Sequence, residues 1–494
     1  MNVLLLFLVP LICGLLSFFV RQDNLVRILA LLGSILTLII ALFSIKIFKG
    51  NADAGSLQFT ASWMGSLGSS FSLKLDGLAL VLCLLTAVAY PLILLSTWWT
   101  DYKRPNHFFA LMLLTQAGLM GVFTASDALL FYFFWELALV PMYFLCSGWG
   151  GERRIQVTFK FFIYTFTASV VMLIGLLYLY FQTPDHSFSL ASFYALKLSN
   201  GQQSLVFWLL FVAFAVKMPV FPFHTWQPDT YEQSPTAATM VLSGLMVKMG
   251  VYGVLRWVLP IVPVASYSWG DFVMSMAVTG IIYASVIAIR QDDMKRLIAY
   301  SSIAHIGLMA ATLFAENRNG YQGLLIQMFN HGINIIGLWI VVELIERQFG
   351  TRKLSELGGL AQKAPGLAAL MIILAFANIS LPLTNSFIGE FLMFSGIWGS
   401  SVTQYNVVFT VLSALSIILG AVYTLTMVQK IFYGNLSART ASAIDIKSNE
   451  KLALWLIVAI IFVLGVYPQP MFQIFGDFTD KLLKQINIGN LLLK

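Results

Sequence analysis

Polar residues come in short clusters along the chain, separated by apolar runs of about 20 residues, the length that crosses a bilayer core as a helix. Hydropathy places fourteen such spans, near 2–20, 26–47, 77–99, 107–125, 128–147, 157–181, 204–224, 235–258, 272–290, 297–314, 320–346, 366–396, 404–430 and 452–474. The run at 366–396 is interrupted. The expected class is an all-α polytopic membrane protein. The longest polar stretches, 48–75 and 433–451, are loops and not domains, so one membrane domain over residues 1–494 is expected. The first run, MNVLLLFLVPLICGLLSFFV, has no basic residue before it and no small-residue cleavage site before Arg21. It reads as a retained span, not a removed signal peptide.

Charge orients these spans. Of the 29 Lys and Arg residues, 18 fall in loops on one side, nine fall on the other, and Lys217 and Lys248 lie within spans. Short loops rich in Lys and Arg stay cytoplasmic, so both termini are expected on the periplasmic side of a bacterial inner membrane. Composition agrees: 59% of residues are hydrophobic and 10% charged, where soluble domains run near a quarter charged. The net charge of +7 is spread over these loops, which gives no nucleic-acid footprint. Cys13, Cys83 and Cys146 lie in separate spans without a CxxC pair, and HExxH, GxGxxG and GxxxxGK[ST] patterns do not occur. No cofactor or metal site is therefore expected in the chain.

The informative residues are the ionisable ones at mid-span. Glu136, Lys217, Lys248, His305, His331 and Glu390 all fall near the centre of apolar segments. A charge at the bilayer centre costs on the order of 2.5–3.5 kcal/mol, so four carboxylate and ammonium groups left unpaired would cost about 10 kcal/mol. One such residue can be glue between helices. Six, drawn from several spans and mixing acid, amine and imidazole, have the composition of a proton relay, because burial and neighbouring charge tune such groups to trade protons. Lys217 stands in FAVKMPVFPFHTW, ahead of Pro219 and Pro222, which disrupt the helix. A break at membrane depth is tolerated where it is buried in protein or lines a wet cavity, and the freed carbonyls and water are expected to solvate Lys217.

The chain uses this device twice. FAVKMPV (214–220) has a counterpart in FANISLPL (376–383), and LSGLMVKMG (242–250) in LSALSIILG (412–420). The pairs lie five spans apart, which gives two inverted five-helix repeats, about 107–258 and 272–430, each with a broken helix, flanked by 1–99 and 452–474. That arrangement is typical of alternating-access and ion-pathway proteins. Lys248 matches Ile418, so the halves are chemically unequal.

On the stretches FFWELALVPMYFL, AFAVKMPVFPFHTWQPDTYEQSPT, LSGLMVKMGVYGVLR, QDDMKRLIAYSSIAHIG and NSFIGEFLMF, the chain resembles the antiporter-like membrane subunits of respiratory complex I, the proton-pumping NADH:quinone oxidoreductase. The resemblance covers essentially the whole chain. It implies that Glu136 and Lys217 form a charged pair in an input half and that Lys248 links this pair to a central axis. His305 and His331 would continue the axis, and Glu390 would end it. L-type and N-type relatives typically carry lysine where this chain has Glu390, which implies the M-type branch, seated between L-type and N-type subunits and lipid. NADH, FMN, iron–sulfur clusters and quinone would then belong to other subunits. A subunit of a multisubunit Na⁺/H⁺ antiporter is the alternative, favoured by clustered carboxylates and disfavoured by a mixed Glu/Lys/His row.

Overall fold

In the computed structural model, residues 2–49 and 57–486 are described. The principal helices are α1 (Asn2–Ser17), α2 (Asp23–Lys49), α3 (Gly77–Ser96), α4 (Pro105–Thr124), α5 (Ala128–Trp149), α6 (Arg154–Gln182), α7 (Asn200–Lys217), α8 (Gln227–Gln233), α9 (Thr236–Val258) and α10 (Pro263–Ile289). They continue as α11 (Met294–Thr312), α12 (Arg318–Phe349), α13 (Pro365–Asn378), α14 (Asn385–Trp398), α15 (Asn406–Phe432), α16 (Ser448–Val466) and α17 (Gln469–Ile486). Ten of these are long and apolar enough to cross a membrane, and α1 and α13 are shorter apolar helices. The starts are written in the sequence. Asp127 and Asp293 accept hydrogen bonds from the first-turn amides of α5 and α11, as N-caps do. Proline occupies the first turn of α4, α10 and α13, where its missing N–H costs nothing.

Burial is inverted relative to a soluble bundle. The apolar windows of α9 and α12 are buried all round, whereas those of α2, α6 and α15 are mostly uncovered. Leu32, Phe159 and Ile418 are each about 60% exposed, a surface suited to lipid and unfavourable in water. Lys248 on α9 and His331 on α12 thus lie on the two innermost helices. Ile418 faces outward at the position that the sequence pairs with Lys248.

Two features depart from the sequence reading. The stretch 48–75 carries an antiparallel hairpin, β1 (Gln58–Met64) and β2 (Ser69–Lys74). Its Ser69 hydroxyl and Ser70 amide donate to the Asp127 carboxylate. The span expected at 452–474 stops at Val466, because Pro468 and Pro470 turn the chain. The residues beyond form α17, an amphipathic helix laid against α3 and α12. The basic residue at 494, counted in the charge asymmetry, lies outside the described residues.

Candidate functional site

Both interrupted helices appear where the prolines foretell them. Helix α7 ends on Lys217, the chain runs through turns over 218–226, and α8 resumes it. The second break lies between α13 and α14, with Ser380 and Leu383 at φ of 57° and 76°. This left-handed region is strained for residues with a side chain. The end of α7 comes close to α9 at Gly250, where a Cβ would stand 2.5 Å from the Phe214 carbonyl oxygen.

The carbonyls freed at the break do not bond Lys217 as the sequence suggests. The carbonyls of Phe214, Ala215 and Val216 already accept from the amides of Met218 and Val220 and from the Trp226 indole. These three carbonyls are taken within the break, and none of them bonds the lysine. Lys217 Nζ is buried without a protein hydrogen-bond partner, 5.8 Å from the ring centroids of both Trp135 and Phe161. Such rings attract a cation weakly. Nor do Glu136 and Lys217 form a contact ion pair. Glu136 Oε1 accepts instead from the Ser169 hydroxyl of α6 at 2.5 Å. The two groups lie on neighbouring elements with the pair open.

The other four residues are in contact. Lys248 Nζ donates to the Ser243 carbonyl at 2.9 Å and lies 2.8 Å from His331 Nδ1. Ser243 belongs to a π-helical turn, Leu242–Met246, within α9; such widened turns recur at functional sites. The rings of His331 and His305 are 5.5 Å apart. His305 Nδ1 lies 3.0 Å from Glu390 Oε1, which also accepts from Gln327 at 3.4 Å. Lys248, His331, His305 and Glu390 therefore form one row across α9, α12, α11 and α14. Beside its far end, His305, Glu390, Asn378, Ser416 and Tyr423 line a cavity of about 10 Å³, room for about one water.

Neutral residues that the sequence reading passed over hold this row in place. Gly389 admits Gln327 beside Glu390; a Cβ there would lie 2.3 Å from the Gln327 side-chain amide oxygen, Oε1. Asn334 donates to Asn385 and Ser386 at the start of α14, and Asn330 donates to the Asn385 carbonyl. Asn378 donates to Thr424, and Ser301 hydrogen-bonds with Tyr423. Amides on helices otherwise so apolar are the signal that was available. Each is stabilising only when its partners are present, and the partners come from other helices.

The face carrying most of the basic loops has an ion-pair ring. Lys160 bonds Asp229 at 2.9 Å, Arg296 bonds Glu232 at 2.8 Å, Arg352 bonds Glu232 at 3.1 Å and Asp293 more closely, and Lys295 bonds Glu346 at 2.7 Å. The ring ties α8 to α6, to α11 and to the loop after α12. Burial pushes the Asp229 and Glu232 carboxyls up, but hydrogen bonds and charge from Lys160 and Arg296 leave both below the ordinary range. The ring's contribution is thus full at neutral pH and fades only as pH falls through those lowered values. Beside it lies a cavity of about 500 Å³ with Ser234, Pro235 and Thr236 among its lining.

The family described as "NADH:quinone oxidoreductase/Mrp antiporter, TM" matches residues 125–416. NADH-quinone oxidoreductase subunit M of Rickettsia typhi is 35% identical over 463 residues, 93% of this chain and 92% of that protein. The subunit M of Escherichia coli K12 is 36% identical over 425 residues, 84% of this chain and 82% of that protein. Among solved structures, a chain of respiratory complex I from Thermus thermophilus superposes with a TM-score of 0.90 at 29% identity, covering 98% of this chain and all of that one. A chain of the Mrp complex from Dietzia sp. reaches 0.84 at 17% identity, covering 98% and 99%, and shares the fold.

Proposed function

The chain belongs to the NADH:quinone oxidoreductase/Mrp antiporter membrane family, and from that premise we propose that it moves protons as a membrane-arm subunit of a proton-pumping NADH:quinone oxidoreductase. The contact row of Lys248, His331, His305 and Glu390 carries this reading. A lysine ammonium 2.8 Å from an imidazole nitrogen can pass its proton directly, and His305 Nδ1 can pass one to Glu390. The wider gap between the two imidazoles requires a ring rotation or a bridging water.

The open pair of Glu136 and Lys217 supplies the switch. With the carboxylate drawn close, Lys217 holds its proton; with the pair parted, the ammonium sits among aromatic rings and is favoured to release it. Buried polar atoms of Gln227 and Tyr231 on α8 lack protein partners, a setting that water occupies. These atoms lie on the element leading from the 500 Å³ cavity to Lys217, which makes the basic-rich face the uptake side. The chain itself carries no redox group in this reading; NADH, FMN, iron–sulfur clusters and quinone are held by other subunits. L-type and N-type antiporter-like subunits flank it in the membrane.

The test is the NADH-driven pH gradient in sealed vesicles containing the assembled complex. A gradient that forms equally with Na⁺ replaced by K⁺ or choline, and that is lost on Lys248→Met at equal assembly, is the expected result. A strict Na⁺ requirement would support the antiporter alternative.

The orientation proposed is termini periplasmic, from the 18-to-9 distribution of Lys and Arg. A reporter active only in the cytoplasm, fused after Lys494, is expected to stay silent. Activity there would reverse the orientation or change the number of crossings.

A further inference from the structure

On the face of the chain termini, a cavity of about 400 Å³ is lined by Lys74, Asp76, Asp477, Phe478 and Lys481 among others. At its edge Asp76, which caps α3, accepts from the Arg256 guanidinium at 2.6 Å. Arg256 lies 5.6 Å above the Tyr252 ring and 5.3 Å above that of Phe478. Its side chain is 10% exposed. Lys248, Tyr252 and Arg256 follow one another at four-residue spacing on α9, the repeat that stacks side chains on one helix face. Their backbone separation from first to last is about 12 Å at 1.5 Å per residue. Lys248 Nζ, however, points the other way, back to Ser243. Between them the Tyr252 hydroxyl is tied to the Phe123 carbonyl, with the Phe131 and Phe123 rings alongside.

We propose that Arg256, held by Asp76, is an electrostatic plug that closes Lys248 to the face of the chain termini. Between Arg256 and Lys248 stand the packed rings of Tyr252, Phe123 and Phe131, and a guanidinium fixed at their outer end repels hydronium that would enter there, as arginine does in selective pores. Asp76 holds the guanidinium by one nitrogen, Nη2, with the Tyr252 and Phe478 rings flanking the rest of the group. Burial raises the Asp76 carboxyl, the Arg256 charge more than reverses this, and the carboxyl stays below its ordinary range. The pair is therefore ionised at neutral pH. The inference rests on the relay reading and names the group that keeps Lys248 closed on this face.

The test compares vesicles carrying the assembled complex with Arg256→Gln, Arg256→Met or Arg256→Lys. Both neutral variants are expected to oxidise NADH at near wild-type rates while holding a several-fold smaller gradient, which collapses several-fold faster once NADH is exhausted. Arg256→Lys, which keeps the charge, is expected to hold most of the gradient. Adding Lys248→Met to Arg256→Gln is expected to slow the collapse to the wild-type rate, because the leak runs through Lys248. A neutral variant that assembles and holds a full gradient overturns the plug. So does a leak that persists in the double variant, or failure of both neutral variants to assemble, which marks a purely structural clamp. The relay itself is tested apart from this, by whether Lys248→Met alone removes the wild-type gradient.

Discussion

Glu136→Gln and Lys217→Met are each expected to lower NADH-driven proton pumping on the order of tenfold or more, the scale set by loss of a positioned acid or base, with the complex still assembled. Glutamine keeps the shape of Glu136 and its hydrogen bond with Ser169, but it cannot change charge. Methionine keeps most of the Lys217 volume between Trp135 and Phe161. It also removes an ammonium group that no protein group hydrogen-bonds, and a buried charge is itself costly, so folding is not expected to suffer. Lys217→Ala should pump as poorly and be less stable, by about 2–5 kcal/mol if the site collapses no better than other buried truncations of long side chains. The measurement is a pH-sensitive dye in sealed vesicles, normalised to assembled complex on a native gel. Near-normal acidification by either Glu136→Gln or Lys217→Met would remove the pair from the pathway.

Glu390 is expected to respond differently to three replacements. Glu390→Gln preserves size and can still hydrogen-bond to His305 and Gln327, yet it cannot accept the proton from His305 Nδ1. Pumping should fall on the order of tenfold or more. Glu390→Asp retains the acid but shortens the reach across a 3.0 Å contact, so a fraction of activity should survive. Glu390→Lys restores a titratable group beside the small cavity lined by Asn378, Ser416 and Tyr423 and should also retain part of the function. If Glu390 serves only to bind His305, glutamine should be the mildest of the three changes and lysine the harshest. The order of the three gradients, at matched assembly, decides between these roles.

Much of this was legible along the chain. Helical class, segment positions and the two breaks follow from local properties: length of apolar runs, proline, and loop charge. The six mid-span ionisable residues stand out for the same reason, since each is an outlier within its own run of neighbours. Lys217 shows where such reading stops. Its sequence context foretells the break after it, but the claim of Trp226 and two amides on the nearby carbonyls depends on how the turn at 218–226 folds back.

Sequence alone marked Lys217, Lys248, His331 and Glu390 as buried, which they are, because each interrupts an apolar run; it placed Arg256 and Lys295, which are also buried, in loops. Tertiary structure decided which of them touch. Lys248 meets His331 from 83 residues away, and His305 meets Glu390 from 85, whereas Glu136 and Lys217 remain apart. Arg256 finds Asp76 across 180 residues. Such contacts depend on the rotation of each helix about its axis and on close approach at glycines such as Gly250 and Gly389. A hydropathy pattern is nearly blind to that rotation on α9; on α12, Gln327, Asn330, His331 and Asn334 mark one face at helical spacing, yet only the structure shows that this face meets α14. In a soluble helix a polar stripe marks the outer face; here the stripe on α12 marks an inner contact, and packing decides what it meets.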